Sequence, residues 1–282
     1  MSVFWQTTRY RLSLARPLVM GIVNVTPDSF SDGGRHATTA AALAHCERLV
    51  AEGADILDIG GESTRPGAHG LASDEELARV LPVLQGALTL GVPVSVDTSN
   101  PALMQHALDE GADIVNDVRA LQRPGALACV AAYPQAGVCL MHMRGEPDTM
   151  QAQTHYDDVL AEVAAFLRER LNELAAVGIG AERVLLDPGI GFAKGPEHNL
   201  TLLREQARLA QALPRPLLVG WSRKGTLGLI TGRPVGERLA ASVAAALAAA
   251  HHGAAVLRVH DVAATVDALK VWQAAMPQRK PD

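Results

Sequence analysis

Eight times along the chain a short apolar run stops at a polar residue. The runs are 18–23 before Asn24, 54–59 before Gly60-Gly61-Glu62, 93–96 before Asp97, and 113–115 before Asn116. They continue with 137–140 before Met141-His142, 184–186 before Asp187, 216–219 before Gly220-Trp221-Ser222, and 256–259 before His260-Asp261. Each interval between runs is long enough for a helix. Strands of a parallel sheet are covered on both faces, so they read as nearly continuous apolar runs. When eight such strands close into a barrel, the active site is built from the loops at their C-terminal ends. The pattern predicts an α/β fold, a (β/α)8 TIM barrel, and makes the polar residues at the run ends the candidate site residues.

Other signals refine this register. Residues 3–16 alternate and are rich in Thr, Tyr, Trp and Arg, which predicts a short β-hairpin within residues 1–16, ahead of the barrel and placed to plug its bottom. Ser73-Asp74-Glu75-Glu76 reads as a capping box. Asn100-Pro101 reads as an N-cap followed by proline at the first helical position. Residues 154–177 place Leu160, Val163, Leu167, Leu171 and Leu174 on one helical face, closed by Gly178. A last helix is expected from Asp261 to near Ala275, with a frayed tail at 278–282. The alternation never breaks, so residues 1–282 read as one domain.

Composition narrows the partners. A chain of 282 residues with 48% hydrophobic content suits one α/β barrel. A net charge of −5 offers no basic field for nucleic acid or an anionic membrane. Cys46, Cys129 and Cys139 are an odd count without a C-x-x-C pair and read as reduced thiols of a cytoplasmic protein. The N-terminus has no apolar signal region, and the alanine-rich stretch 240–250 is too short to span a membrane.

Two post-strand segments are unusually long. Residues 24–36 read N-V-T-P-D-S-F-S-D-G-G-R-H, and residues 60–70 read G-G-E-S-T-R-P-G-A-H-G. Polar, glycine-containing loops at the catalytic face predict lids that order over substrate. Cations gather after the seventh strand, Arg223 and Lys224, and at the end of the eighth, Arg258 and His260, with Arg65 available from the second loop. Barrels often bind phosphate there, and together these residues could hold a diphosphate. Arg223 is the exception, reading as a surface or dimer contact. Asp97, Asn116 and Asp187 close the third, fourth and sixth strands. A carboxylate and an amide turned inward can pair with a flat heterocycle that presents N–H donors and ring acceptors, such as a 2-amino-4-oxo-pyrimidine edge. Lys224 could donate to its carbonyl, and Arg258 could stack on its face. No zincin spacing, P-loop or G-x-S-x-G elbow occurs, so a protein nucleophile has little support.

These residues resemble one known family. The run Met20-Gly21-Ile22-Val23-Asn24-Val25-Thr26-Pro27-Asp28-Ser29-Phe30-Ser31-Asp32-Gly33-Gly34 is similar to the first signature of the dihydropteroate synthases. Gly60-Gly61-Glu62-Ser63-Thr64-Arg65-Pro66-Gly67 is similar to the second. Asn116-Asp117, Leu140-Met141-His142-Met143, Asp187-Pro188-Gly189-Ile190-Gly191-Phe192, Ser222-Arg223-Lys224 and Arg258-Val259-His260-Asp261 follow in order. The resemblance implies a transferase of folate biosynthesis. In it the amine of 4-aminobenzoate displaces pyrophosphate from 6-hydroxymethyl-7,8-dihydropterin diphosphate and yields 7,8-dihydropteroate. It implies that Asp97, Asn116, Asp187 and Lys224 bind the pterin, that Met141 and Phe192 line the pocket, and that Arg258 stacks on the ring. It implies that Asn24 coordinates Mg2+ with the diphosphate, which Ser63, Arg65, Arg258 and His260 also contact. Phe30, Thr64, Pro66, Ser222 and Lys224 would hold the aminobenzoate, in what is also the sulfonamide pocket. The catalytic set would be Asp97, Asp187, Lys224 and Arg258, and the assembly a homodimer.

The chain departs from the family pattern at Ala193, where glycine is expected, at Gly225, where serine is common, and at Trp221, where methionine is frequent. Two alternatives stay open. A related barrel passing a methyl group from methyltetrahydrofolate to a corrinoid would share Asp97, Asn116 and Asp187 but would not need the 24–34 loop, Arg65 or His260. A non-catalytic paralogue would bind pterin or partners only.

Overall fold

The structure is a computed structural model, and it describes residues 3–25, 34–62 and 72–275. An antiparallel pair, β1 (Phe4–Gln6) and β2 (Arg11–Ser13), precedes a closed parallel barrel. The barrel strands are β3 (Leu18–Asn24), β4 (Ile56–Gly60), β5 (Val94–Asp97), β6 (Ile114–Asp117), β7 (Gly137–Met141), β8 (Val184–Asp187), β9 (Leu217–Val219) and β10 (Ala254–Val259). β10 pairs with β3 and closes the ring. Between and after the strands lie α1 (Gly34–Ala51), α2 (Ser73–Ala87), α3 (Pro101–Asp109), α4 (Ala126–Ala131), α5 (Val159–Ala176), α6 (Pro196–Arg204), α7 (Gln206–Ala212), α8 (Gly225–Thr231), α9 (Leu239–His251) and α10 (Val262–Ala275).

The two-residue period of the strands creates two separate cores. Val19, Leu57, Val115, Val138, Leu186, Val219 and Leu257 face outward and pack with the helices. Leu18, Met20, Ile56, Ile114, Cys139, Leu185, Leu218 and Val256 face inward and fill the lower barrel around Trp5. The hairpin does plug the bottom: Trp5 is 0% exposed and its indole N–H donates to the Arg183 carbonyl at 2.8 Å. Asp113 is not a strand residue of the fourth run. It is a buried anchor at the bottom, accepting from the backbone N–H groups of Arg9 and Val94 and pairing with the Arg9 guanidinium at 2.6 Å.

Local helix signals hold in most places. Asn100 caps α3 by accepting from Ala102 N–H, with Pro101 as the first helical residue. The fifth helix starts at Val159, later than residue 154, because Asp158 caps it by accepting from Ala161 N–H. Gly178 follows in a left-handed conformation. The capping box at Ser73 does not form. Ala72 is the N-cap, and the buried Glu76 accepts instead from Thr98 Oγ1 and Asn100 Nδ2. Ser73 Oγ also accepts from Asn100 Nδ2. Tertiary partners on the neighbouring βα unit outcompete the local cap, so the start of α2 is tied to the start of α3.

Trp5→Ala should cost about 3–5 kcal/mol, the range for removing a buried aromatic side chain. Urea unfolding checks it; a midpoint equal to the parent's would mean the hairpin is not a structural plug.

Candidate active site

Above the apolar plug the same inward parity places polar residues. Strand register sets Asn24 beside Gly60, Gly60 beside Asp97, and Asp97 beside Asn116. It likewise sets Met141 beside Asp187. Residues spread from position 24 to 258 therefore line one mouth. At its centre Arg258 donates from Nε to Asp58 Oδ2 and from Nη2 to Asp97 Oδ2, each at 2.6 Å. Asn116 Nδ2 donates to the same Asp58 oxygen at 3.1 Å. Asp58 was not apparent from the sequence, since it lies inside the apolar run I-L-D-I-G. The usable signal is its parity, two residues from the inward Ile56.

Burial raises the proton affinity of Asp97, Arg258 opposes this, and Asp58 adds to it. Burial works against the charge on Arg258, but Asp58 and Asp97 outweigh it and its pKa is raised. Asp58 Oδ1 and the hydroxyl of its register partner Ser95 are buried and lack a hydrogen-bond partner among the described residues. The floor of the mouth thus keeps unused polar capacity.

Asp187 also has a structural partner in the turn that follows it. Its Oδ1 accepts from Gly189 N–H at 2.7 Å, which stabilises the Asp-Pro-Gly turn. Burial raises its proton affinity, opposed by that hydrogen bond and by Lys224 and Arg258. Lys224 Nζ lies 4.2 Å above the Phe192 ring, and burial pushes its pKa down to about 8 while Asp187 resists. Met141, Met143, Met150, Phe192, Ala193 and Val118 pack as an apolar patch beside these charges. A flat, partly polar ring matches such a mouth: hydrogen-bonding groups at its edge and apolar or cationic groups on its face.

Ser222 Oγ lies 2.9 Å from His260 Nδ1 and also accepts from the His260 backbone N–H. Burial, with Arg223 and Arg258 nearby, pushes the His260 pKa down to about 3. His260 is therefore a neutral imidazole and does not belong among the cations. Arg223 turns away from the mouth and pairs with Asp261 at 2.6 Å. Ala193 adopts a left-handed φ of 51° where glycine costs least. Phe30, Ser63, Thr64, Arg65 and Pro66 lie outside the described residues.

Residues 20–260 match the family described as pterin binding enzyme. A dihydropteroate synthase of Neisseria meningitidis serogroup B is 52% identical over 275 residues, covering 96% of both chains. The structure of Xanthomonas albilineans dihydropteroate synthase with 4-aminobenzoic acid superposes with a TM-score of 0.92 at 52% identity, covering 98% of this chain and 100% of that one. The Burkholderia cenocepacia enzyme complexed with 7,8-dihydropteroate gives 0.88 at 48% identity, covering 97% of this chain and 96% of that one. The chain belongs to the dihydropteroate synthase family.

Relatives this similar over the whole length set the corrinoid methyltransferase alternative aside. A dihydropteroate synthase barrel also carries buried groups that act on stability. His142, directly after Met141, is 2% exposed, and burial, Lys194 and Arg144 push its pKa down to about 2. The unfolded chain binds a proton there near pH 6.5, whereas the folded one does not. Its contribution is complete above that pH and is lost as the pH falls, by about 2 kcal/mol at pH 5. His260 acts in the same direction. Thermal unfolding at pH 7 and pH 5 should show a smaller acid-induced loss in His142→Phe than in the parent. An equal loss would mean that His142 is protonated in the folded protein.

Proposed function

We propose that this chain condenses 6-hydroxymethyl-7,8-dihydropterin diphosphate with 4-aminobenzoate to 7,8-dihydropteroate and pyrophosphate. The observation that carries the reading is the shared mouth of Asp97, Asn116, Asp187, Lys224 and Arg258 above the barrel plug, in a chain of this family. Asp97, Asn116 and Asp187 pair with the polar edge of the pterin, Met141 and Phe192 line its faces, and Lys224 donates to its carbonyl. Arg258 stacks on the ring and reaches the diphosphate. Asn24, Ser63, Arg65 and His260 complete the diphosphate contacts, with neutral His260 donating an N–H. Phe30, Thr64, Pro66, Ser222 and Lys224 receive the aminobenzoate, and a sulfonamide would compete there.

Mg2+ suits this mouth. Among the described residues no three His, Cys, Asp or Glu side chains converge as a metal cage. The ion would rely on the Asn24 amide oxygen, the substrate's own phosphate oxygens and water, a donor set Mg2+ commonly accepts. Bound there, it would neutralise charge on the departing diphosphate.

The chemistry asks the protein for electrostatics and shape. The C–O bond to the diphosphate breaks with its electron pair leaving on oxygen, and the electron-rich ring spreads the resulting positive charge. The neutral arylamine then forms the C–N bond and loses a proton to solvent. Asp97 and Asp187, where ionised, favour the cationic stage, and Arg258 and His260 hold the leaving group. This division needs no covalent intermediate on the protein.

Leu229 and Ile230 on α8, Val235 in the connection and Leu239 at the start of α9 are exposed, with Leu229 at 71%. Covering them supports a homodimer built through the late helices. No described helix is long and apolar enough to cross a membrane, and we place the enzyme in the cytoplasm.

Formation of 7,8-dihydropteroate should require both substrates and Mg2+, and should stop on chelation. Pyrophosphate release that yields no dihydropteroate when the amine is present would refute the condensation. Asp187→Asn should cost roughly 1.5–3 kcal/mol of pterin affinity, the range for a hydrogen bond to a charged group. Calorimetry showing parental affinity would remove Asp187 from that role.

A further inference from the structure

Lys194 stands just behind the pterin wall, and the reaction as derived does not use it. It is 3% exposed, yet its ammonium is crowded by acceptors. Nζ lies 2.8 Å from His142 Nδ1, 3.0 Å from the carbonyls of Gly189 and Phe192, and 3.3 Å from the His142 carbonyl. His142 is neutral, so its Nδ1 can accept. The acceptors come from two different strand ends: His142 follows β7, and Gly189 and Phe192 belong to the turn after β8.

The seam between these ends is tight for a second, independent reason. Gly189 has a left-handed φ of 69°, and a Cβ there would sit 1.9 Å from the His142 carbonyl oxygen. His142 N–H also donates to the Asp187 carbonyl at 2.9 Å. On the far side of the same turn, Asn199 Oδ1 accepts from Gly191 N–H, and its Nδ2 donates to Lys194 O and Thr226 Oγ1. Thr226 lies in the first turn of α8, directly after the Lys224 N-cap. The turn carrying Phe192 is thus clamped between Lys194 on one side and Asn199 on the other.

Burying an ammonium is costly, and an apolar side chain of equal length would fill the same space without that cost. What the amino group adds is up to three N–H donors, shared among three backbone carbonyls and an imidazole. Those groups neighbour Met141, Asp187 and Phe192, the last of which lies under the Lys224 ammonium.

We infer that Lys194 is a positioning residue for pterin binding, cross-linking the ends of β7 and β8 so that Met141, Asp187 and Phe192 hold their spacing; this rests on the reading of the mouth as a pterin site. It touches no substrate. Its effect falls first on the pterin wall: the aminobenzoate residues come from other loops, and of them Lys224, above Phe192, is shared with the pterin.

The test uses the full-length protein and its Lys194→Met, Lys194→Arg and Lys194→Gln variants. Calorimetric titration with 6-hydroxymethyl-7,8-dihydropterin diphosphate alone reads pterin affinity, and steady-state kinetics reads the KM for 4-aminobenzoate. Lys194→Met should weaken the pterin at least tenfold while the aminobenzoate KM stays within twofold. Lys194→Arg, which keeps the cation and its donors, should recover part of the loss. Parental pterin affinity in Lys194→Met overturns the inference, and so does an equal loss toward both substrates, which would mark a general structural defect. If Lys194→Met does not fold, Lys194→Gln, which cannot donate to all of these acceptors, decides: a loss of threefold or more confined to the pterin supports the inference, and parental affinity overturns it. Parental protein that fails to bind the pterin overturns the reading of the mouth itself, and that is seen before any variant is made.

Discussion

A closed barrel can bury charge only where the charges neutralise one another, and this requirement organises the mouth. Asp58 and Asp97 share the guanidinium of Arg258 at 2.6 Å on each side. Removing one partner of such a set would strand an uncompensated charge in a region of low dielectric. The network therefore fixes the relative positions of β4, β5 and β10 from inside, and Asn116 extends it to β6. The same groups that satisfy the barrel's electrostatics present carboxylate, amide and guanidinium to a ligand. Stability and recognition draw on one set of side chains, so a ligand meets groups already held in place.

Around this centre the electrostatics are graded by burial. Lys224 and Lys194 are both pushed towards neutrality, and His142 and His260 are held neutral. Arg258 alone among these cations has its charge reinforced, because two carboxylates lie against it. Of these described residues, Arg258 is thus a permanent cation, Lys224 a lysine near its titration range and His260 a neutral imidazole. Such an arrangement favours charge that develops during reaction over charge held tightly at rest.

Much of this was legible in the residues. The eight apolar runs and their polar ends placed every barrel strand within a few residues, because two-sided burial leaves a strong one-dimensional trace. The run-end residues Asp97, Asn116, Asp187 and Arg258 were legible as a set for the same reason. Asp58 was not, since one aspartate within an apolar run is indistinguishable from a tolerated polar residue until the ring closes and Arg258 stands opposite. Ser73 and Glu76 showed a valid local cap, but Thr98 and Asn100, from the next βα unit, took the glutamate instead. His260 counted as a cation in the sequence because its neutrality depends on burial and on Arg223 and Arg258.

The chain alone determined the order of strands and helices, the inward parity of each strand and the family signatures, since these depend on local periodicity and on contiguous residues. Only the folded barrel decided which carboxylate pairs with Arg258, which histidines stay uncharged, and that Lys194 bridges two strand ends. Those outcomes depend on distances across a closed ring and on the exclusion of water from it, and neither is a property of neighbours in sequence.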